Sequence, residues 1–203
     1  MNRGRLLLLA NACLLLAGCQ LFGPGNGEPE VSPTDRRTSD ARGDDRAVEQ
    51  YGAARVAERF GERVQVTVTS FNRAVLLTGV APDAETRAEI GKVVSEAAGV
   101  RAITNEIEIA GVPSRNARAS DAEITARVSA RFRDAGKFDP AHVRVLTQTG
   151  VVYLMGIVTE KEAEDAVELA RTTVGVRKVV KIFEYCMPTD AVCLPPAGSD
   201  VPH

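Results

Sequence analysis

Val75-Leu76-Leu77-Thr78-Gly79-Val80 returns later in the chain as Val152-Tyr153-Leu154-Met155-Gly156-Ile157. Upstream, Val66-Thr67-Val68-Thr69 lines up with Val143-Arg144-Val145-Leu146 in the same register. Downstream, Gly99-Val100-Arg101-Ala102-Ile103 matches Gly175-Val176-Arg177-Lys178-Val179 after a one-residue deletion. Helical patterns lead both copies, Asp45 to Phe60 and Asp121 to about Ala135. Self-similarity at a period of about 76 residues means one supersecondary unit used twice.

Each copy reads helix, strand, strand, helix, strand. Val64, Val66 and Val68 alternate with polar residues, the mark of a half-buried strand. Phe71-Asn72-Arg73 and Gln148-Thr149-Gly150 are turn candidates between two strands. The second helices are expected over Asp83 to Ala98 and Glu160 to Val174. Ile90, Val93, Val94 and Ala97 face one side, as do Ala163, Val167, Ala170 and Val174. Gly99 and Gly175 suit a left-handed position after a helix. The last strands are Ile103 to Ile109 and Val179 to Tyr185. The fold class is α+β: two tandem αββαβ modules, each a three-stranded mixed sheet with two helices on one face. The modules span 45–111 and 120–186, joined by a linker at 112–119 and followed by a tail at 187–203.

The N-terminus carries a different signal. Arg3 and Arg5 precede an apolar run from Leu6 to Leu16, too short to span a bilayer. Leu16-Ala17-Gly18-Cys19 follows, and resembles the bacterial lipobox. That resemblance implies cleavage after residue 18, acylation of Cys19, and a mature chain of roughly 185 residues. Two or three acyl chains hold a protein stably where one does not. Gln20, where inner-membrane lipoproteins commonly carry Asp, implies sorting to an outer membrane. Residues 20–44 are rich in Gly, Pro, Asp, Arg, Ser and Thr, and read as a disordered tether. A flexible coil of that length reaches on the order of 25–30 Å.

With Cys13 in the signal peptide and Cys19 lipidated, Cys186 and Cys193 remain. A disulfide closing this short loop is expected in an oxidising compartment. Free thiols, or a metal held with His203, are the alternatives, although the spacing fits no zinc pattern.

Two αββαβ modules with V-x-L-x-G before the second helix and G-V-x-x-V after it resemble BON domains. Gly150 to Glu160 and Asn105-Glu106-Ile107 are similar to the dual-BON outer-membrane lipoproteins of the DolP type, and the lipobox matches that architecture. The tail from Cys186 to His203 departs from it. The resemblance implies a non-enzymatic protein that binds phospholipid and supports the outer-membrane barrier. It also implies recruitment to anionic lipid, including at division sites, through the second module's first helix.

In that helix Ile124, Val128 and Phe132 recur every four residues, with Arg127 and Arg131 along one edge and Lys137 and Phe138 beyond. Basic side chains beside apolar ones suit an anionic interface, at about 1 kcal/mol per basic residue. Arg127, Arg131 and Phe138 are the expected lipid contacts. On the alternative reading the apolar stripe packs in the core and the arginines snorkel over its edge.

The net charge of −2 and the absence of a basic excess argue against a nucleic-acid binder. There is no G-x-S-x-G, H-E-x-x-H or P-loop, and Gly23 to Gly27 has no strand before it. No catalytic residue and no cofactor are expected. His142 reads as a surface or satisfied histidine, and Glu160/Glu162 and Glu164/Asp165 as a solvated helix face. The competing function is a tethered scaffold that docks on outer-membrane assembly, cell-division or peptidoglycan machinery.

Overall fold

The computed structural model describes residues 35–111 and 115–194. The expected signal peptide, Cys19, most of the expected tether and His203 lie outside them. Each half of the chain folds as one αββαβ module. The first comprises α1 (Ser39–Phe60), β1 (Gln65–Phe71), β2 (Ala74–Ala81), α2 (Ala84–Ser95) and β3 (Ala102–Ile109). The second comprises α3 (Arg115–Ala135), β4 (Val143–Gln148), β5 (Val151–Val158), α4 (Glu160–Arg171) and β6 (Lys178–Tyr185). Both sheets are mixed, with the hairpin antiparallel and the crossover strand parallel to the middle strand.

Four boundaries differ from the sequence reading, one being helix α2, which stops at Ser95 rather than Ala98. Helix α1 begins at Ser39, six residues before Asp45, because the Thr38 side chain accepts from the Ala41 N–H and caps it. Helix α3 begins at Arg115, so the linker is shorter than expected. Helix α4 stops at Arg171, and Val174 is 78% exposed rather than core-facing.

The hairpins are built the same way twice. Asn72 and Arg73 have φ of 49° and 68°, and Thr149 and Gly150 have 48° and 76°. Two consecutive left-handed residues match the twist of a two-residue hairpin. A non-glycine residue there is costly, and a buried carboxylate from the preceding helix offsets the cost. Asp45 accepts from Asn72 N–H (2.8 Å), Arg73 N–H (2.7 Å) and the Ser70 hydroxyl (2.6 Å). Asp121 accepts from the Thr149 and Gly150 amides, both at 2.8 Å. The crossover strand is tied to the same turn, by Arg101 N–H to Arg73 O and Arg177 N–H to Gly150 O.

Gly79 and Gly156 sit where the hairpin strands approach most closely. A Cβ there would lie 1.9 Å from the Gln65 carbonyl oxygen and 2.3 Å from that of His142. The glycine of the repeated V-x-L-x-G pattern is therefore a packing requirement.

The helix-facing side of each sheet forms a module core. Val75, Leu77, Ala81 and Ile107 pack on Val48, Val56, Ile90 and Val94. Val152, Leu154 and Val158 pack on Ile124, Val128, Phe132 and Ala166. The opposite faces pack on each other. Phe71 and Leu76 of the first sheet join Tyr153, Met155 and Ile157 of the second in a third core, with Leu146, Val180 and Ile182 at its margin. The order is helices, sheet, sheet, helices. Each fully buried side chain of this size contributes about 1.5–3 kcal/mol. Burial pushes the Tyr153 phenol up to about 12, and the negative charges of Glu106 and Glu108 add to it.

Equivalent contacts at both ends of this interface show an approximate two-fold relation. The Asn72 amide donates to Glu184 (2.9 Å), and the Thr149 hydroxyl donates to Glu108 (2.9 Å). Two further ion pairs, which the repeat does not map onto each other, also cross the interface: Arg101 with Glu184, and Arg144 with Glu49 at 2.8 Å. The hairpin end of each module thus lies beside the strand exit of the other.

Asp45→Ala leaves two buried amides and a hydroxyl without their acceptor. It should lower stability by about 3 kcal/mol in urea unfolding. Asp121→Ala, with two such amides, should cost about 2 kcal/mol.

Candidate functional site

Arg127 and Arg131 lie one turn apart on α3 and reach the same place, the C-terminal end of α4. Arg131 Nη1 donates to the Leu169 carbonyl (2.7 Å) and to the Thr172 and Thr173 hydroxyls (2.8 and 3.0 Å). It satisfies carbonyl and hydroxyl groups that the helix end leaves open, and its charge opposes the helix dipole. Arg127 pairs with Glu123 and donates to the Val174 carbonyl at 3.3 Å. Its side chain remains 43% exposed.

Val174 is the residue that periodicity missed. Thr172 caps α4, the chain turns, and Gly175 follows with φ of 96°. A Cβ on Gly175 would meet the Ile124 side chain at 3.0 Å, so the loop passes close over α3. Val174 is left projecting beside Arg127, with the exposed Arg171 and Arg177 three residues away on either side. The signal available in sequence was the Thr172-Thr173 pair, which favours helix ends over interiors.

Phe138 requires a correction. It is 9% exposed, packs edge-on against Phe132 with centroids 5.1 Å apart, and belongs to the second module's core. The segment after α3 folds inward because two rings bury more apolar area together than either would at the surface. Phe138 is therefore not carried forward as a lipid contact. Ile124, Val128 and Phe132 are buried, as the packing alternative holds.

At the opposite end of α4 the acidic residues are not all solvated. Glu162 closes a capping box: its carboxylate accepts from the Thr159 N–H (2.8 Å), while the Thr159 hydroxyl accepts from the Glu162 N–H. The same carboxylate takes both terminal nitrogens of Arg36 (2.7 and 3.0 Å) and His142 Nδ1 (3.0 Å). Arg36 also donates to the Ile157 and Cys193 carbonyls (2.9 and 3.4 Å). The residue just ahead of the first module is thereby fastened to the second. His142 is a satisfied histidine, as sequence suggested, and Glu162 is not part of a solvated face.

Burial by itself would raise the Glu162 pKa. The His142 and Arg36 hydrogen bonds and the Thr159 amide outweigh it and hold the carboxyl well below its usual range. A disulfide joins Cys186 and Cys193, whose Cα atoms are 6.3 Å apart. It closes a loop in which the Met187 N–H donates to Asp190 at 2.7 Å. Among the described residues no three His, Cys, Asp or Glu side chains converge as a metal site.

Residues 53–111 and 120–187 match the BON domain model. The chain is 28% identical over 186 residues to the outer membrane lipoprotein DolP of Haemophilus influenzae, covering 89% of this chain and 95% of that one. It is 28% identical over 155 residues to a 21 kDa hemolysin of Actinobacillus pleuropneumoniae, covering 75% and 80%. A solved structure of the C-terminal domain of CdsD, from the Chlamydia trachomatis type III secretion system, is 13% identical. It covers 70% of this chain and 96% of that one with a TM-score of 0.29.

A carboxylate with a depressed folded pKa stabilises above its unfolded value and loses that contribution on acidification. Urea midpoints should fall progressively as the pH drops below about 5. Glu162→Gln should be less stable at neutral pH and should flatten this limb of the profile.

Proposed function

This chain belongs to the BON-domain family, and on that premise we propose that it is an outer-membrane lipoprotein anchored through Cys19. In this reading the folded modules face the periplasm, bind anionic phospholipid without catalysing a reaction, and support outer-membrane integrity. The likeness to the Haemophilus lipoprotein along nearly the whole of both chains supports the location. The lipobox residues Leu16 to Cys19 support the anchor.

One observation carries lipid binding over a scaffold. Val174, 78% exposed, follows the end of α4, where Arg127 donates to its carbonyl and Arg131 closes the helix. Arg171 and Arg177 lie three residues away in sequence, and Glu123 and Glu168 are paired to Arg127 and Arg171. An exposed apolar side chain beside basic ones fits the boundary between headgroups and acyl chains. A docking scaffold built on these sheets would instead expose an apolar sheet face, and here the two faces cover each other. Arg131 has two tasks on this reading, closing α4 and presenting charge. Arg127 is the cleaner probe.

The form beginning at Gln20, without acyl chains, should co-sediment with vesicles that contain phosphatidylglycerol. It should not do so with phosphatidylcholine alone, and salt should release it. Arg127→Glu combined with Val174→Ser should weaken binding about ten- to thirtyfold while the fold is kept. Unchanged binding by that folded variant would remove the corner from consideration. No binding by the parent form would leave Cys19 as the sole membrane contact and favour a protein partner.

A further inference from the structure

The described residues include seven exposed large apolar side chains, and four of them lie within ten residues. Tyr185, Met187, Val192 and Leu194 are 58%, 66%, 42% and 53% exposed. They occupy the end of β6 and the loop closed by Cys186–Cys193. The loop is preorganised rather than slack. Its covalent closure is reinforced by Cys186 N–H to Val158 O (3.0 Å), Met187 N–H to Asp190, and Cys193 N–H to Asp190 O (2.8 Å). Cys193 is buried while its neighbours project. One oxygen of the Asp190 carboxylate accepts from the Met187 amide across the loop, and the residue stays exposed at its edge. Beside the loop runs an open cleft of about 1090 Å³, lined by Arg36, Lys137 and Lys161 and by Glu160, Glu162, Glu164 and Asp190, so it carries no basic excess.

A preorganised apolar tip on an otherwise polar surface marks a membrane or protein contact, and the path of the chain decides between them. Arg36 is fastened at this very end, on Glu162, the Ile157 carbonyl and the Cys193 carbonyl. Its side chain is only 8% exposed. About 17 residues separate Arg36 from Cys19, and a chain of that length spans at most about 60 Å. The chain that leads to the anchor therefore enters the fold beside the loop, on the same side as its apolar tip.

We propose that the Cys186–Cys193 loop inserts its apolar tip into the bilayer that holds Cys19. This is a second contact, independent of the acyl chains and of the arginine corner. It rests on the reading that Cys19 is lipidated. Because the tip is apolar and the cleft beside it has no basic excess, insertion does not require anionic lipid.

The chain contains no Trp, so one introduced indole reports its own depth. The full lipidated protein carrying Met187→Trp is reconstituted in phosphatidylcholine vesicles with brominated acyl chains. Its emission should drop by at least about half, with or without phosphatidylglycerol. Lys92→Trp, on the exposed surface of α2, should not respond. Val174→Trp reports the arginine corner separately and should be quenched only when phosphatidylglycerol is present. An unquenched indole at position 187 in protein that floats with the vesicles overturns the proposal, whatever position 174 does. A dark signal at 187 alone sustains it and removes the corner. Protein that fails to float without detergent overturns it through its premise.

Discussion

The packing of one sheet's back on the other is the contact on which the rest of the molecule depends. A three-stranded sheet with two helices on one side leaves its other side bare. In this chain the bare sides carry Leu76, Phe71, Tyr153, Met155 and Ile157, all nearly fully buried. Exposed, these side chains would make each module a poor monomer. Joined, they leave a surface whose remaining apolar features are few and local. The polar rim of the interface, from Asn72 and Arg101 to Glu184 and from Thr149 to Glu108, sets the register of that contact more than its strength. Exposed ion pairs contribute about 0–1 kcal/mol each.

Much of this was legible in the sequence because the repeat made each copy a check on the other. The strand positions, both hairpin turns and the stripe Ile124, Val128 and Phe132 followed from periodicity. What was not legible depended on contacts between distant residues. The start of α1 was hidden because Ser39 to Asp44 are polar, and a helix that buries only Ala41 on its first turns lacks an apolar stripe there. Phe138 looked available because nothing local says that it turns back onto Phe132. Glu162 looked solvated because its partners, Arg36 and His142, lie 126 and 20 residues away. Val174 continued a helical period past the residue at which the helix ends.

The two ends of α4 now divide the candidate site. At one end Arg131 meets open carbonyls, Arg127 is half free, and Val174 projects. At the other, a carboxylate gathers the helix start, the chain ahead of the first module and the disulfide loop into one network. The first arrangement is electrostatic and partly wet. The second is buried, so its hydrogen bonds are less screened by salt. A single 12-residue helix thereby serves as the frame for both.

The two-fold relation between the modules has an evolutionary reading. If each module uses the same face to meet the other, an ancestral single module had the means to meet a second copy of itself. Fusion into one chain then replaced a concentration-dependent encounter with an intramolecular one, at an effective concentration on the order of millimolar. Once the partner is guaranteed, the halves are free to diverge. That freedom is visible along the first helices, where Tyr51 stands at the position that Arg127 occupies in the second copy.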